Sequence, residues 1–113
     1  GLPTGEAVGT TAGKMCAQYV IHTVGPIYSQ CAKECEALLS ACYQNSMGEA
    51  TRLGCKSIAF PAISTGIYGY PKDEAANIAF NTTLEFTQHN DIDVIFVFNS
   101  QEDYDIIVLQ SDK

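Results

Sequence analysis

Residues 57–71 read SIAFPAISTGIYGYP and pass from an apolar segment, through a glycine-rich run, to a proline that suits a helix start. The segment 57–63 is short, apolar and rich in β-branched or aromatic residues, so it reads as a buried strand. From Pro71 the spacing predicts a helix over 71–89. Pro71 suits the first helical position, Asp73 and Glu74 suit the first turn, His89 closes the last turn, and Ala75, Ile78, Ala79, Thr82 and Phe86 form the buried stripe. Ser64, Thr65, Gly66, Ile67, Tyr68, Gly69 and Tyr70 lie between the two, at the junction where open α/β sheets place their ligands. Gly66 and Gly69 permit backbone conformations that expose successive N–H groups, and the helix start adds partial positive charge. Residues 64–71 contain no Lys or Arg, so a diphosphate here would be held by amides and by the hydroxyls of Ser64 and Thr65. Ile67 and Tyr68 are bulkier than a mere turn requires and read as a lid over a ligand.

Working outward, 19–24 and 93–98 also read as buried strands, and 30–54 as a helix with Cys35, Leu38, Leu39, Cys42, Ala50 and Leu53 on its inner face and Gly54 as its C-cap. The order strand, helix, strand, helix, strand predicts right-handed crossovers and a largely parallel sheet in an α/β fold. Near-continuous apolarity predicts strands covered on both faces. The stretch 5–13, GEAVGTTAG, is expected to add a short strand or edge segment, and 101–110 a final helix or strand. The 113 residues fit one domain, with no repeat or linker.

These segments, in this order, resemble the macro domain family, the ADP-ribose-binding module. Residues 57–71 match its phosphate-binding loop, while 5–13, 19–28 (YVIHTVGPIY), 38–50 (LLSACYQNSMGEA), 72–80 (KDEAANIAF) and 93–106 (DVIFVFNSQEDYDI) match flanking segments. The resemblance implies a three-layer α/β/α macro-like fold with a mixed, largely parallel sheet, shortened at its N-terminus. It implies that Ser64, Thr65, Gly66, Ile67, Tyr68 and Gly69 wrap the diphosphate of ADP-ribose, or of a related nucleoside diphosphate, free or attached to protein. Phe98 and Asn99 match positions near the adenine and its ribose, although Phe98 reads equally well as a core residue. Relatives resembling MacroD hydrolyse ADP-ribosyl linkages or deacetylate O-acetyl-ADP-ribose, which gives a second reading, and a structural remnant without ligand binding is a third. The family normally has three earlier strands and an asparagine- and glycine-rich loop before anything like GEAV. The catalytic aspartate, the terminal-ribose contacts, one phosphate-binding glycine run and the adenine-contacting aspartate belong there, so no catalytic residue is assigned. A missing central strand leaves unpaired edges, which predicts a homo-oligomer or a complementing segment.

Composition narrows the partners. No apolar run approaches the roughly 18 residues of a membrane helix, and six Lys plus Arg against 13 Asp plus Glu, a net charge of −7, argue against a generic nucleic-acid grip. The first residue is not Met, and the natural chain is expected to begin further upstream. Cys16, Cys31, Cys35, Cys42 and Cys55 include no C-x-x-C pair; they are expected to be reduced, mostly buried thiols in an intracellular, cytoplasmic setting, with the nucleus left open. No metal or cofactor is implied. His22 is expected to be a hydrogen-bonded core residue rather than a base, and Asp73 and Glu74 to complement the helix dipole. The cluster Glu102, Asp103 and Asp105 reads as a solvated face or helix start.

Overall fold

The computed structural model of the protein describes residues 1–12, 18–66 and 68–97. Among them are strands β1 (Ala7–Thr11) and β2 (Tyr19–Thr23), helix α1 (Cys35–Arg52), strand β3 (Ser57–Phe60), helix α2 (Lys72–His89) and strand β4 (Asp93–Phe96). Two short 3₁₀ turns, Tyr28–Gln30 and Ala32–Glu34, lead into α1. Residues 101–110 lie outside the described residues.

Helix α1 buries Cys35, Leu39, Cys42, Tyr43, Ser46, Met47 and Ala50, a stripe at helical spacing. Leu38 and Leu53, expected on that stripe, are only half-buried, because the inner face is rotated toward Tyr43, Ser46 and Met47. Gly54 ends the helix as expected. Its φ of +78° is left-handed, and it allows the amides of Gly54 and Cys55 to bond the carbonyls of Thr51 and Ala50 at 3.0 and 2.9 Å. Helix α2 begins one residue later than the spacing predicts. Pro71 is its N-cap, with an extended ψ of 129°, and Lys72 is the first helical residue. The small residues Ala75, Ala79, Thr82 and Thr83 are buried and let α2 approach α1, where the hydroxyls of Ser40 and Thr82 meet at 3.1 Å.

β1 pairs antiparallel with β2, Ala7 opposite Thr23, so the GEAVGTTAG segment does supply a strand. β3 pairs parallel with β4, Ser57 beside Asp93 and Phe60 beside Phe96, with α2 as the crossover between them. The two pairs share no ladder. Between β2 and β3 lies a cleft of about 1010 Å³, lined by Gln18 and all of β2, by Ser46 and Ala50 of α1, and by 54–63. The free edges of β2 and β3 both border this cleft, so the β2–α1–β3 crossover spans a gap instead of a paired neighbour.

Below β3 and β4, Phe60 meets Tyr43 edge-on at 4.9 Å and Phe96 at 6.3 Å. Ile58 and Val94 join this cluster with Leu39, Met47, Ala75 and Ala79. On the opposite face Ser57, Ala59 and Asp93 are exposed, and Ile95 is 52% exposed. The expectation that the strands are covered on both faces is therefore not met among the described residues. Both helices pack against one face, and the two-residue period sends alternate side chains of these apolar strands to the other. The same alternation corrects the reading of His22. It keeps a hydrogen-bond partner, Thr10 Oγ1 at 3.0 Å, but is exposed on the outer face of the β1–β2 pair.

The cysteines also depart from expectation. Cys31 and Cys35 are joined as a disulfide, their Cα atoms 5.0 Å apart. The two residues meet across a tight turn at Ala32, whose φ is +49°, at the start of α1, a local approach that spacing alone does not show. Cys42 is a buried thiol and Cys55 a half-buried one, while Cys16 lies outside the described residues.

β1 is pinned to the end of α1 through Gly9. Its amide donates to Glu49 Oε2 at 2.8 Å, and a Cβ at Gly9 would lie 2.6 Å from Leu53 Cδ1, so only glycine fits without displacement. Arg52 bonds both carboxylate oxygens of Glu49, at 2.6 and 3.0 Å. The Arg52 bond first, and the Gly9 amide second, lower the Glu49 pKa from 4.5 to about 2. A lowered carboxylate pKa contributes stability that is present above the ordinary value and is lost as pH falls through the shifted one. The thermal midpoint of the protein is therefore expected to exceed that of Glu49→Gln near neutral pH, with the difference closing between pH 4.5 and about 2. A difference independent of pH in paired melting curves would contradict this role for Glu49.

Candidate functional site

Beyond Phe60 the chain leaves the sheet as Pro61, Ala62 and Ile63 and turns back at Ser64, whose φ is +67°. The loop closes on itself through two bonds. The Gly69 amide donates to the Gly66 carbonyl at 3.0 Å, and the Tyr70 amide donates to the Ser64 carbonyl at 2.9 Å. The amides of Thr65, Gly66 and Tyr68 have no backbone acceptor among the described residues. The turn thus commits its last two amides to its own carbonyls and lies directly before the first turn of α2, where partial positive charge gathers.

The two glycines play different parts from those expected. Gly69, at φ +76°, is the left-handed one; Gly66 is not, and Ser64 is the other left-handed residue. A Cβ at Gly66 would meet nothing within 4 Å, so the space above it is open for a ligand. Ser64 Oγ is shielded from solvent without a hydrogen-bond partner, while Thr65 is half-buried. Tyr68 is exposed at the loop tip. Ile67, Phe98 and Asn99 lie outside the described residues. Asp73 and Glu74 occupy the first turn of α2 and are exposed, in keeping with dipole complementation; the Glu74 amide donates to Asp73 Oδ1 at 3.0 Å.

Several positions hold the loop in ways that the sequence reading does not give. Tyr70 is 4% exposed and belongs to the core cluster, so it anchors the end of the loop. Burial, then the negative charges of Glu74 and Glu36, raise its phenol pKa. Its ring lies 4.9 Å from that of Tyr28, whose amide donates to the Tyr68 carbonyl at 3.0 Å. The buried pair Gly25 and Pro26, just after β2, braces the start of the loop. A Cβ at Gly25 would fall on Ser64 Oγ and lie 2.7 Å from Ile63 Cγ2. Tyr43, its phenol pKa raised by burial, hydrogen-bonds the Ile63 backbone from α1. A glycine and proline at a strand end signal only a turn, and a tyrosine on an apolar stripe signals only core. Their service to the loop is a long-range property that local patterning does not carry. No group of three or more His, Cys, Asp or Glu side chains is placed to hold a metal among the described residues, and no described helix is long and apolar enough to cross a membrane.

Comparison with known proteins fits this geometry. The Macro domain family model matches residues 1–79. A macro domain-containing protein of Streptomyces griseus is 54% identical over 97 residues, covering 86% of this chain and 54% of its own length. An O-acetyl-ADP-ribose deacetylase of Klebsiella pneumoniae is 47% identical over 102 residues, covering 88% of this chain and 58% of its own. Among solved structures, the Oceanobacillus iheyensis macrodomain with ADP superposes with a TM-score of 0.94 at 42% identity, covering 98% of this chain and 59% of that one. The chain belongs to the Macro domain family, with the α/β macro-domain fold, and spans a little over half the length of these relatives.

The loop geometry separates two substitutions. Gly66→Glu is expected to melt within a few degrees of the parent protein, because its side chain enters open space, yet to remove anion binding by setting a carboxylate against the phosphates. Gly25→Val is expected to lower both stability and binding, because it displaces Ser64 and Ile63. Thermal melting beside a ligand titration checks both, and a Gly66→Glu protein that still binds would contradict the placement of the site.

Proposed function

We propose that this chain binds ADP-ribose, or a related nucleoside diphosphate, free or attached to protein, through Ser64, Thr65, Gly66, Ile67, Tyr68 and Gly69. The observation that supports this reading is the set of amides at Thr65, Gly66 and Tyr68 without a backbone acceptor among the described residues, close before the start of α2 and with no cation in residues 64–71. Amides and a helix dipole select a dispersed diphosphate charge without attracting polyanions at long range, in keeping with the net charge of −7. The ADP-bound O. iheyensis macrodomain, at 42% identity, supports the same ligand class. Phe98 and Asn99 are proposed to stack on or contact the adenosine end.

A second reading, deacetylation of O-acetyl-ADP-ribose or hydrolysis of an ADP-ribosyl linkage, is favoured by the Klebsiella relatives that carry the first of these activities. The residues named here bind and orient; none is proposed as the acid or base. The cleft between β2 and β3 also supports a partner reading, in which a second copy of the chain or a complementing segment supplies a strand to both free edges.

Calorimetry with ADP-ribose and with AMP tests the proposal. ADP-ribose is expected to release binding heat and AMP to bind at least tenfold more weakly, because it offers one phosphate to a loop with three donors. A folded sample giving no heat with millimolar ADP-ribose overturns it and favours a structural remnant. The same preparation assayed on mono-ADP-ribosylated protein and on O-acetyl-ADP-ribose separates binding from turnover. Its sedimentation at tens of micromolar separates a self-paired dimer from a monomer whose edges stay open.

A further inference from the structure

The Cys31–Cys35 pair is not used by the ligand reading, yet it sits on the segment that holds the lid of the loop. Cys31 is half-buried, and Cys35, the first residue of α1, is buried in the same cluster as Tyr70. Tyr28 connects the pair to the loop from both sides of one residue. Its carbonyl lies 3.5 Å from Cys31 Sγ and 3.6 Å from Cys35 Sγ, while its amide donates to the Tyr68 carbonyl at 3.0 Å. Its ring packs on Tyr70. Between the cysteines Ala32 is held at a φ of +49°, a left-handed conformation that a β-carbon disfavours and that persists only where the surroundings impose it.

We propose that Cys31 and Cys35 form a thiol–disulfide exchange site for small thiols such as glutathione, and that its state sets the grip of the Tyr28–Tyr68–Tyr70 contact on the phosphate loop. The chemistry balances without a metal. The thiolate of one small thiol attacks the half-buried Cys31 sulfur, the bond to Cys35 breaks, and Cys35 leaves as a thiolate that takes up a proton. A second small thiol then attacks the mixed disulfide at its own sulfur, Cys31 departs and is protonated, and two small thiols have become one oxidised disulfide. The reverse reaction consumes one oxidised disulfide and releases two small thiols. In the dithiol state both sulfurs gain a proton within reach of the Tyr28 carbonyl, and the closure that holds Ala32 left-handed is released. In the disulfide state neither donor exists and the turn is locked, with Tyr28 presented to Tyr68 and Tyr70.

The consequence for ADP-ribose rests on the proposed function, whereas the exchange itself does not. The full chain is equilibrated in buffers of set reduced-to-oxidised glutathione ratio, quenched by alkylation and read by intact mass and peptide mapping. Cys31 and Cys35 are expected to gain or lose their labels together, at a ratio where Cys42 and Cys55 remain labelled under unfolding conditions. In the same samples the amide resonances of Tyr28 and Tyr68 are expected to shift between the two states without ligand. Calorimetry is expected to show ADP-ribose binding at least threefold tighter in the oxidised state, and a Cys31→Ser, Cys35→Ser protein is expected to bind like the reduced chain at every ratio. Independent labelling of the two cysteines, or Tyr28 and Tyr68 resonances that ignore the redox state, overturns the proposal. If the resonances shift but neither state binds ADP-ribose, the ligand reading fails while the exchange site stands. Equal affinity in both states overturns the coupling.

Discussion

Helix α1 is the part on which the rest depends, because the two strand pairs have no backbone ladder between them. β1–β2 and β3–β4 are held in one body by what packs on this helix: Gly9 and the Glu49 carboxylate on one side, Phe60 against Tyr43 on the other, with the fully buried Leu39 and Met47 between. In a continuous sheet, hydrogen bonds between strands would share that task. Here the cost of leaving two strand edges beside a cleft is offset by packing on α1 and by scattered hydrogen bonds such as that of Gly9 with Glu49. The shielded, unpartnered hydroxyl of Ser46, on the buried face of α1, lies where this cleft meets the helix.

That architecture explains how the loop is held although β2 and β3 share no ladder. The loop takes little from the β2–β3 gap. Its beginning is braced by Gly25 and by the Tyr43 hydroxyl on the Ile63 backbone, and its end is pinned by the buried Tyr70. Its own carbonyls at Ser64 and Gly66 accept from the amides of Tyr70 and Gly69, which fixes the turn. Preorganised donors lose little entropy when an anion arrives, and this is how an uncharged loop in an acidic protein can hold a diphosphate.

Much of this was legible in the sequence. Both helices, the strand cores and the Gly54 cap follow from periodicity and from residues with special backbone preferences, and the loop follows from glycines placed between a strand and a helix. Resemblance supplied the proposed ligand class. What could not be read are properties created by approach in three dimensions. His22 and Ile95 look like core in an apolar strand and are exposed, because covering the second face requires a layer that local pattern does not encode. Gly66 and Gly69 look equivalent, and only the fold shows that Gly69 alone of the two is left-handed. Cysteine spacing argued for free thiols, but Cys31 and Cys35 meet across the left-handed turn at Ala32, which the spacing alone does not reveal.

The central claim is that specific loop amides, already positioned and unspent, hold the diphosphate. Amide chemical shifts followed by two-dimensional NMR during an ADP-ribose titration test it most directly. The account predicts that the Thr65, Gly66 and Tyr68 resonances move furthest and saturate together, while those of Gly69 and Tyr70, committed to the loop's own carbonyls, move least. Shifts concentrated instead along β2 and β3, with the loop amides still, would place the ligand in the cleft and contradict the account.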